Sequence, residues 1–394
     1  MATGIKDRTA VIGMGCTKFG ERYDCGKEDL LVEAVHEALE DAGIEFNAID
    51  AFWFGTMNTD YAGTAFSQRL KSQYKPVTRI ENFCCTGSDV FRNACYAVAT
   101  GEFDVVMAIG LEKLKDSGMS GGFGFPIDYD RTEPELSAPA MFGMLAPAYA
   151  GKYGVTYDQM REVLPRIAYK NHYNGSLNPK AMFRQEIPLD QIKKSPMIAA
   201  PYLTIMDCSG VSDGCACAII TRTETAQRFR KDPMYVKAME LTAGPAHSQM
   251  HQSYDFTTIV ETNQAAERAY KKAGITDPRT QISLAEVHDC FTITELILYE
   301  DLLFSERGQA WKDVLEGRFD LKGELPVNTD GGLKAFAHPV GASGLRMIYE
   351  SWLQFHGRAG KRQLDDPKIG LAHNLGGMPW CGVAAITILG KELG

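Results

Sequence analysis

The sequence contains no uninterrupted apolar run long enough to cross a lipid bilayer, so we expect no transmembrane segment. Residues 1–7 lack a charged stretch followed by an apolar core, which argues against a secretory signal. There is no basic stripe and the net charge is −9, so we expect no nucleic-acid partner. These absences predict a cytoplasmic location, and they leave any phosphate-bearing substrate to be bound by a few local groups.

The ten cysteines show no spacing typical of a disulfide scaffold, which fits a reducing compartment. Cys208, Cys215 and Cys217 come closest to a metal-binding pattern, but they lack the paired C-x-x-C knuckles of a zinc site. Cys215 and Cys217 alternate as neighbours on one strand would, so we predict no metal in this chain. The composition, 45% hydrophobic and 23% charged, is typical of a globular protein with a large core.

Two parts of the sequence repeat the same order of helix, glycine and strand. A helical pattern stops at Gly43, and the pattern recurs within residues 264–287, where Gly274 stands at the equivalent position. A turn of small residues also opens a helix twice, at 86–88 and at 342–344. We therefore predict an α/β protein with two tandem halves rich in βαβ units. Chance similarity between such common units is the alternative.

A stretch of different amino-acid composition interrupts these two halves. It begins near residue 117 with many glycine, proline, methionine and aromatic residues, and it is too long and apolar for a simple linker. We interpret it as an inserted loop domain that forms a lid or pocket wall, with a satellite core as the alternative. The predicted domains are 1–116 (N-terminal half, first part), 117–200 (insertion), 201–240 (return to the N-terminal half) and 241–394 (C-terminal half).

The stretch around which the chain is organised is residues 80–94, where a short apolar approach ends at Cys84 and Cys85. Small residues at 86–88 follow, and then a helical pattern, which predicts a strand, a tight turn and a helix N-terminus. A helix N-terminus carries unpaired N–H groups and partial positive charge, so we expect it to lower a thiol pKa and to stabilise an oxyanion. A buried structural cysteine is the alternative.

Three other turns carry residues suited to catalysis. His288 and Cys290 follow a β-run, and their spacing lets both side chains point to the same side of a strand end. His338 is held extended by Pro339, and a third strand ends at a glycine pair that begins with Gly376. Because open α/β sheets place their sites at such strand-to-helix turns, we expect these turns to meet. A satisfied core histidine is the alternative for either imidazole taken alone.

With these motifs in order, the sequence resembles the thiolase superfamily over essentially its whole length, within the SCP2-thiolase-like and archaeal acetyl-CoA acetyltransferase branch. Residues 84–88 resemble the nucleophile motif, 288–291 the SCP2-like fingerprint, 338–344 the Gly-His-Pro segment and 207–218 the Ser-Asp-Gly-Ala strand. The resemblance implies a thiolase fold, which is a duplicated five-layer αβαβα arrangement with an inserted loop domain. It also implies a homodimer or tetramer and coenzyme A thioesters as substrates.

The resemblance implies a role for each reactive side chain. Cys84 would be the acylated nucleophile and His338 the base that activates it. Cys290 would be the second, acid/base thiol, and His288 would act with His338 to polarise the thioester oxygen. Cys85 would be a packed neighbour, because the spacing to the following Thr-Gly pair matches the family when Cys84 attacks.

The resemblance also implies an oxyanion hole for the acyl-enzyme, formed by the backbone N–H groups of Cys84 and Gly376. Asn374 and Ser343 are secondary site positions, and Asn374 stands where many thiolases place their second cysteine. Ala337 replaces the usual glycine before the histidine of the Gly-His-Pro segment, which we expect to narrow the site slightly.

A thiol, two imidazoles and a second thiol can break a C–C bond beside a ketone without a metal or cofactor. We therefore expect a thiolase that cleaves a 3-oxoacyl-CoA with coenzyme A. The apolar lid suggests a bulky or aryl substrate such as 2-benzoylsuccinyl-CoA, which would make the chain a subunit of a benzoylsuccinyl-CoA thiolase. The alternatives are Claisen formation of acetoacetyl-CoA, a retro-aldolase, and a non-catalytic scaffold. Similar proteins work with a small zinc-ribbon/OB-fold subunit of the DUF35 type, which we expect as a partner.

Overall fold

The computed structural model describes residues 4–59, 62–117, 137–245 and 254–394. The strands of these residues are β1 (Thr9–Cys16), β2 (Ala51–Gly55), β3 (Val77–Ile80), β4 (Val105–Glu112), β5 (Met197–Ala199), β6 (Leu203–Thr204), β7 (Gly214–Arg222), β8 (Met234–Ala243), β9 (Leu284–Glu286), β10 (Ile369–Met378) and β11 (Cys381–Gly390). The helices are α1 (Lys27–Ala42), α2 (Gly63–Leu70), α3 (Thr86–Ala99), α4 (Ala138–Gly143), α5 (Leu145–Tyr153), α6 (Tyr157–Ser176), α7 (Leu189–Lys193), α8 (Thr223–Ala226), α9 (Val260–Ala273), α10 (Pro278–Gln281), α11 (Thr292–Asp301), α12 (Ala310–Leu315), α13 (Gly332–Ala335) and α14 (Ser343–Phe355).

Nine of these strands form one mixed sheet in the order β3-β2-β4-β7-β1-β8-β11-β10-β9, and β5 pairs separately with β6. Strands β1 and β8, in the middle of the sheet, pair over a short stretch, in which Ala10 lies opposite Tyr235 and Val11 opposite Met234. By contrast, β8 pairs with β11 along most of its length. The sheet therefore divides at β1 and β8 into an N-terminal part and a C-terminal part.

Helices cover both faces of the two sheet parts. Helix α1 packs on β1 and β7, helix α3 packs on β4 and β7, and helix α9 packs on β8 and β11. Helices α3 and α14 pack against each other and both pack on β7, and α14 also packs on β10, so these two helices form a central layer between the two sheet parts. The layers thus alternate as helix, sheet, helix, sheet and helix. The α/β fold class expected from the resemblance, a five-layer αβαβα arrangement, is confirmed.

The predicted repeat of helix and glycine is also present in the structure. Helix α1 ends on Gly43 with φ of 65°, and α9 ends on Gly274 with φ of 83°. Both values lie in the left-handed region, which glycine adopts without the steric cost that a Cβ atom brings. Each glycine therefore stops its helix and turns the chain toward the strand that follows.

Two glycines bring the N-termini of α3 and α14 into contact. A Cβ atom added to Gly344 would lie 2.3 Å from the backbone nitrogen of Ser88, and one added to Gly87 would lie 2.9 Å from the Gly341 oxygen. No other residue type would allow the two helix ends to approach so closely. The segments that precede these helices are therefore held side by side.

The predicted lid lies partly outside the described residues, which omit 118–136. Its described remainder, 137–200, contains α4 to α7 and the strand β5. Strand β8 crosses the predicted boundary at residue 240, and the proposed domain limits remain predictions. No helix among the described residues is both long and apolar enough to span a lipid bilayer.

Candidate active site

A cavity of about 80 Å³ lies where α3, α11 and α14 begin. Its polar lining includes the four side chains that the sequence predicts as catalytic, which are Cys84, His288, Cys290 and His338. Its apolar lining includes Pro139, Phe142, Phe291 and Met378, and Cys208 adds a third thiol. The structure therefore places both predicted sulfur atoms and both imidazoles around one cavity.

A sharp turn presents Cys84 to this cavity. Phe83 has φ of 50°, in the left-handed region, which is uncommon for an aromatic residue. The turn is closed by backbone hydrogen bonds from Cys85 N–H to Asn82 O and from Thr86 N–H to Phe83 O, at 3.1 Å each. Helix α3 starts directly afterwards, so Cys84 lies at the edge of a helix N-terminus, as the sequence predicts.

The thiol of Cys84 is not acidified by this position. Burial, and after it the nearby carboxylate of Glu112, raise its pKa to about 12. Our expectation of a lowered thiol pKa is therefore wrong, because removal of the thiol from water and a buried negative charge outweigh the helix end. Cys84 is consequently a neutral thiol near neutral pH and needs a base before it can attack.

Glu112 is a buried residue that the sequence analysis missed. Its carboxylate accepts hydrogen bonds from Thr56 Oγ1 at 2.8 Å, from Thr59 N–H at 2.7 Å and from Gly341 N–H at 2.9 Å. It thereby ties the loop after β2 to the loop that follows His338. The available signal is an acidic residue at the end of an otherwise apolar strand.

Cys84, His288 and His338 form a compact group. Each offers one sulfur or nitrogen atom, and these three atoms lie within 4.8 Å of one another. The two imidazole rings meet edge to face, with their centroids 5.2 Å apart. One sulfur and two nitrogen ligands could also hold a thiophilic metal ion. The absence of a metal from this chain remains a prediction.

Cys290 lies in the same cavity but outside this compact group. Its side chain is buried, and its Sγ atom lies 3.6 Å from Thr294 Oγ1 in the first turn of α11. Burial raises the pKa of the Cys290 thiol well above its usual value, with Cys84 as a further cause. Cys290 is therefore held as a protonated thiol, which suits a proton donor to a strongly basic carbanion.

The hydrogen bonds of His338 determine which of its nitrogens carries the proton. Ser343 Oγ lies 3.0 Å from the Pro339 carbonyl, to which it donates, and 2.7 Å from His338 Nδ1. With the single hydroxyl proton given to Pro339, Ser343 Oγ accepts from Nδ1–H, and this arrangement leaves Nε2 as the acceptor. Burial lowers the pKa of His338 to about 3, so the ring is neutral. Its buried Nε2 atom has no hydrogen-bond partner among the described residues and presents a free lone pair.

His288 is held by a different neighbour. Asn374 Nδ2 lies 3.1 Å from His288 Nδ1, and Asn374 Oδ1 accepts a hydrogen bond of 3.2 Å from Ser88 Oγ. The parallel pairing of β9 with β10 explains this contact, because Glu286 lies opposite Ala372 and the same register continued places His288 beside Asn374. Burial lowers the pKa of His288 well below its usual value, with His338 as the second cause.

Gly376 lies beside the nucleophile turn rather than on the cavity wall. A Cβ atom added to Gly376 would lie 2.8 Å from Asn82 O and 3.0 Å from Cys85 N, and its backbone interacts with the Cys85 thiol. Among the described residues, Gly377 lines the cavity in its place. The contribution of the Gly376 N–H group to an oxyanion hole therefore remains a prediction.

Cys85 has a structural environment. It is fully buried, and its thiol lies 2.7 Å from the Asn374 carbonyl and 3.0 Å from the Val383 carbonyl, to which it donates. Burial raises its pKa well above the usual value. A thiol packed between two strands in this way cannot reach the cavity, so Cys85 packs as expected and the half-buried Cys84 is the member of the pair that lines the cavity.

Asp289 and Ala337 shape the loops that carry the histidines. Asp289 is buried and accepts hydrogen bonds from the Leu333 and Lys334 N–H groups at 2.6 and 3.0 Å. Burial raises the pKa of Asp289 to about 7, with Glu295 as the second cause. Ala337 has φ of 92°, a conformation that favours glycine, directly before His338. The departure from the family glycine at this position therefore costs backbone strain.

Both halves of the chain match family models built from known proteins. A family model described as the thiolase N-terminal domain matches residues 9–200, and one described as thiolase C-terminal domain-like matches 243–391. The acetyl-CoA acetyltransferase of Methanothermobacter thermautotrophicus is 36% identical, over 97% of this chain and 99% of that protein. Human sterol carrier protein 2 is 32% identical, over 94% of this chain and 70% of that protein.

Solved structures show the same fold. The Ltp2-ChsH2(DUF35) aldolase superposes with a TM-score of 0.81 at 24% identity, covering 98% of both chains. Human mitochondrial 3-ketoacyl-CoA thiolase superposes with a TM-score of 0.71 at 17% identity, covering 98% of this chain and 99% of that chain. At these identities the likeness concerns the fold alone.

Proposed function

The chain belongs to the thiolase family, as an acyltransferase of the branch that contains archaeal acetyl-CoA acetyltransferases and sterol carrier protein 2, and we propose that it cleaves a 3-oxoacyl-CoA with coenzyme A. One observation carries this proposal. The reactive atoms of Cys84, His288 and His338 lie within 4.8 Å of one another in a cavity that Cys290 also lines.

The first half of the reaction forms the acyl-enzyme. His338 Nε2 takes the proton of Cys84, whose sulfur attacks the 3-keto carbon, and His288 supports the negative charge that develops on the thioester oxygen as the C2–C3 bond breaks. The C2–C3 bond then breaks, and its electrons leave on the thioester carbanion. Cys290 gives its proton to that carbanion, which departs as acetyl-CoA when the substrate is unbranched at C2. The acyl group stays on Cys84 as a thioester.

The second half returns the enzyme to its starting state. The Cys290 thiolate takes the proton of incoming coenzyme A, and the coenzyme A sulfur attacks the acyl carbon on Cys84. The bond to Cys84 breaks, and the proton held by His338 returns to the Cys84 sulfur. The enzyme regains its starting protonation, and the net change is that the C2–C3 bond and the S–H bond of coenzyme A are replaced by a new C–H bond and a new thioester C–S bond. The reverse sequence is a Claisen condensation.

The size of the cavity favours a short acyl group. A volume of about 80 Å³ is small beside the roughly 300–1,000 Å³ of pockets that hold drug-sized ligands. Phe142 and Phe291 lie with ring centroids 5.0 Å apart and form part of its wall. Acetoacetyl-CoA is therefore the substrate we place first, in agreement with the names of the archaeal relatives. The apolar aromatic wall supports 2-benzoylsuccinyl-CoA as the second candidate, which requires Phe142 or Met378 to move aside.

We further propose that the protein works in the cytoplasm as a homodimer or tetramer. We propose that it also binds a small zinc-ribbon/OB-fold partner of the DUF35 type. The support for this partner is the solved structure titled Ltp2-ChsH2(DUF35) aldolase, whose chain shares the fold of this one. Light scattering of the purified chain measures its oligomeric state. The same measurement after co-expression with a DUF35-type candidate shows whether that partner binds. A monomer that gains no mass and no activity from the candidate would contradict this part of the proposal.

The test of the activity is thiolysis by the purified protein with both candidate substrates and free coenzyme A. We expect Cys84→Ala to abolish product formation and Cys290→Ala to lose thiolysis, whereas Cys381→Ala, at an exposed cysteine, serves as the matched control. Retained C–C cleavage without thiolysis in Cys290→Ala would support a retro-aldolase instead. Absence of turnover of either substrate by the unaltered protein would support a scaffold role.

A further inference from the structure

His288 is a buried histidine whose chemistry depends on which ring nitrogen carries its proton. A neutral imidazole has one N–H donor and one acceptor nitrogen, and their positions can exchange. Burial keeps His288 neutral, because its pKa lies well below the usual value. The side chain lines the cavity and contacts Asn374 through Nδ1, so Nε2 is the nitrogen left for the cavity.

The contact with Asn374 fixes this choice. The amide nitrogen of Asn374 has no acceptor capacity, so at 3.1 Å it donates to the Nδ1 lone pair of His288. The proton of His288 must then reside on Nε2. The oxygen end of the same amide accepts from Ser88 Oγ, and it is packed so tightly that a Cβ on Gly344 would lie 2.5 Å from it. Both ends of the amide are therefore held.

His338 has the opposite arrangement. Its proton lies on Nδ1, where it is donated to Ser343, and its Nε2 lone pair is free. Two histidines in edge-to-face contact thus offer the cavity different groups, one N–H donor and one lone pair. A lone pair on His288 Nε2 would repel the charge that forms on the thioester oxygen and would leave the protonated His338 as the one imidazole donor to it.

We propose that Asn374 is a positioning residue that fixes His288 as the hydrogen-bond donor to the thioester oxygen, while Ser343 fixes His338 as the base. This division of labour rests on the proposed thiolase function, and it goes further by assigning each histidine one task. Asn374 acts through His288 and does not need to touch the substrate. It replaces, at this position, the second cysteine of other thiolases with a residue that serves the imidazole.

The deciding variant is Asn374→Asp, which keeps the shape and the acceptor for Ser88 but replaces the donor with a second acceptor. The carboxylate can only accept from His288 Nδ1–H, so the neutral ring loses its Nε2 proton and the cavity loses a donor. We expect the single-turnover rate of Cys84 acylation to fall about 10²-fold at mildly alkaline pH. Asn374→Ala leaves both arrangements of the His288 proton accessible, so its loss should be smaller.

The pH profile separates this role from a structural one. In Asn374→Asp the new carboxylate raises the pKa of His288, and the protonated ring regains an Nε2–H group below that pKa. We therefore expect the acylation rate of this variant to rise as the pH falls, whereas the unaltered enzyme shows no such recovery. Asn47→Asp, which makes the same change at an exposed residue outside the cavity lining, is the control and should stay within a few-fold of the unaltered rate.

Two results would overturn the inference. One is an Asn374→Asp variant that acylates as fast as the unaltered enzyme. The other is a loss that is larger in Asn374→Ala than in Asn374→Asp and independent of pH, which would indicate packing alone. The unaltered enzyme in the same experiment separates this outcome from failure of the proposed function. An acyl group on its Cys84 upholds the function even where the inference fails, and its absence removes both.

Discussion

Replacing Gly344 with alanine should separate the two halves of the active site. The added Cβ would lie 2.3 Å from Ser88 N and 2.4 Å from Ser88 Oγ, whereas ordinary contact begins at 3.4 Å. Helix α14 must therefore shift by about 1 Å relative to α3, because the atom it meets is backbone and cannot rotate away. Overpacking of this kind costs about 1–3 kcal/mol of folding free energy.

The same shift acts on the chemistry, because Cys84 precedes α3 and His338 precedes α14. A displacement of about 1 Å between reacting groups costs roughly 10²-fold in rate. We expect Gly344→Ala to lower kcat/KM for thiolysis by that factor and to lower the melting temperature. Steady-state kinetics and thermal unfolding of the same preparation measure the two effects.

Gly151 supplies the matched control. It is an exposed residue within α5, and a Cβ added there meets nothing within 4 Å. Because alanine favours helix over glycine by about 1 kcal/mol, Gly151→Ala should keep full activity with equal or slightly higher stability. A Gly344→Ala enzyme that matches Gly151→Ala in both rate and melting temperature would refute the close-approach reasoning.

Three further predictions follow from single features of the site. Ala337→Gly should raise the free energy of unfolding in denaturant by up to about 1 kcal/mol, because φ of 92° strains alanine; a lower stability would contradict this. Neither Cys84 nor His338 should titrate during acylation between about pH 5 and 8, because their pKa values of about 12 and about 3 keep the thiol protonated and the imidazole neutral throughout; an inflection in stopped-flow data that persists in Asp289→Asn, which removes the carboxyl with a pKa of about 7, would contradict it. Phe142→Ala should raise kcat/KM for an aryl 3-oxoacyl-CoA relative to acetoacetyl-CoA by about 10-fold or more, because it removes one ring from the cavity wall; an unchanged ratio would show that this ring does not limit acyl size.

Local features of the sequence predict much of the fold. Gly43 and Gly274 stop their helices because a left-handed residue is needed there, and that requirement is visible in the sequence. The strand, turn and helix around Cys84 follow from local pattern in the same way. The meeting of Cys84, Cys290 and both histidines in one cavity depends on tertiary structure. The sequence predicts this meeting only through the resemblance to a family.

Features that depend on burial or on strand pairing cannot be predicted from local sequence patterns. The raised pKa of Cys84 arises from the apolar cavity and from Glu112, which lies on a different strand. The contact between Asn374 and His288 depends on the parallel register of β9 and β10, which joins residues far apart in the chain. The position of Gly376 could not be predicted for the same reason, since Gly376 lies against the turn at Cys85 rather than on the cavity wall.

Peptide-resolved mass spectrometry of the protein incubated with acetoacetyl-CoA, without free coenzyme A, tests the central claim most directly. We predict one acetyl group per chain, located on Cys84, that disappears when coenzyme A is added. Cys85, buried between strands, should remain unmodified. An acetyl group on Cys85 or Cys290 alone, or a Cys84 that stays free while thiolysis proceeds, would contradict the account.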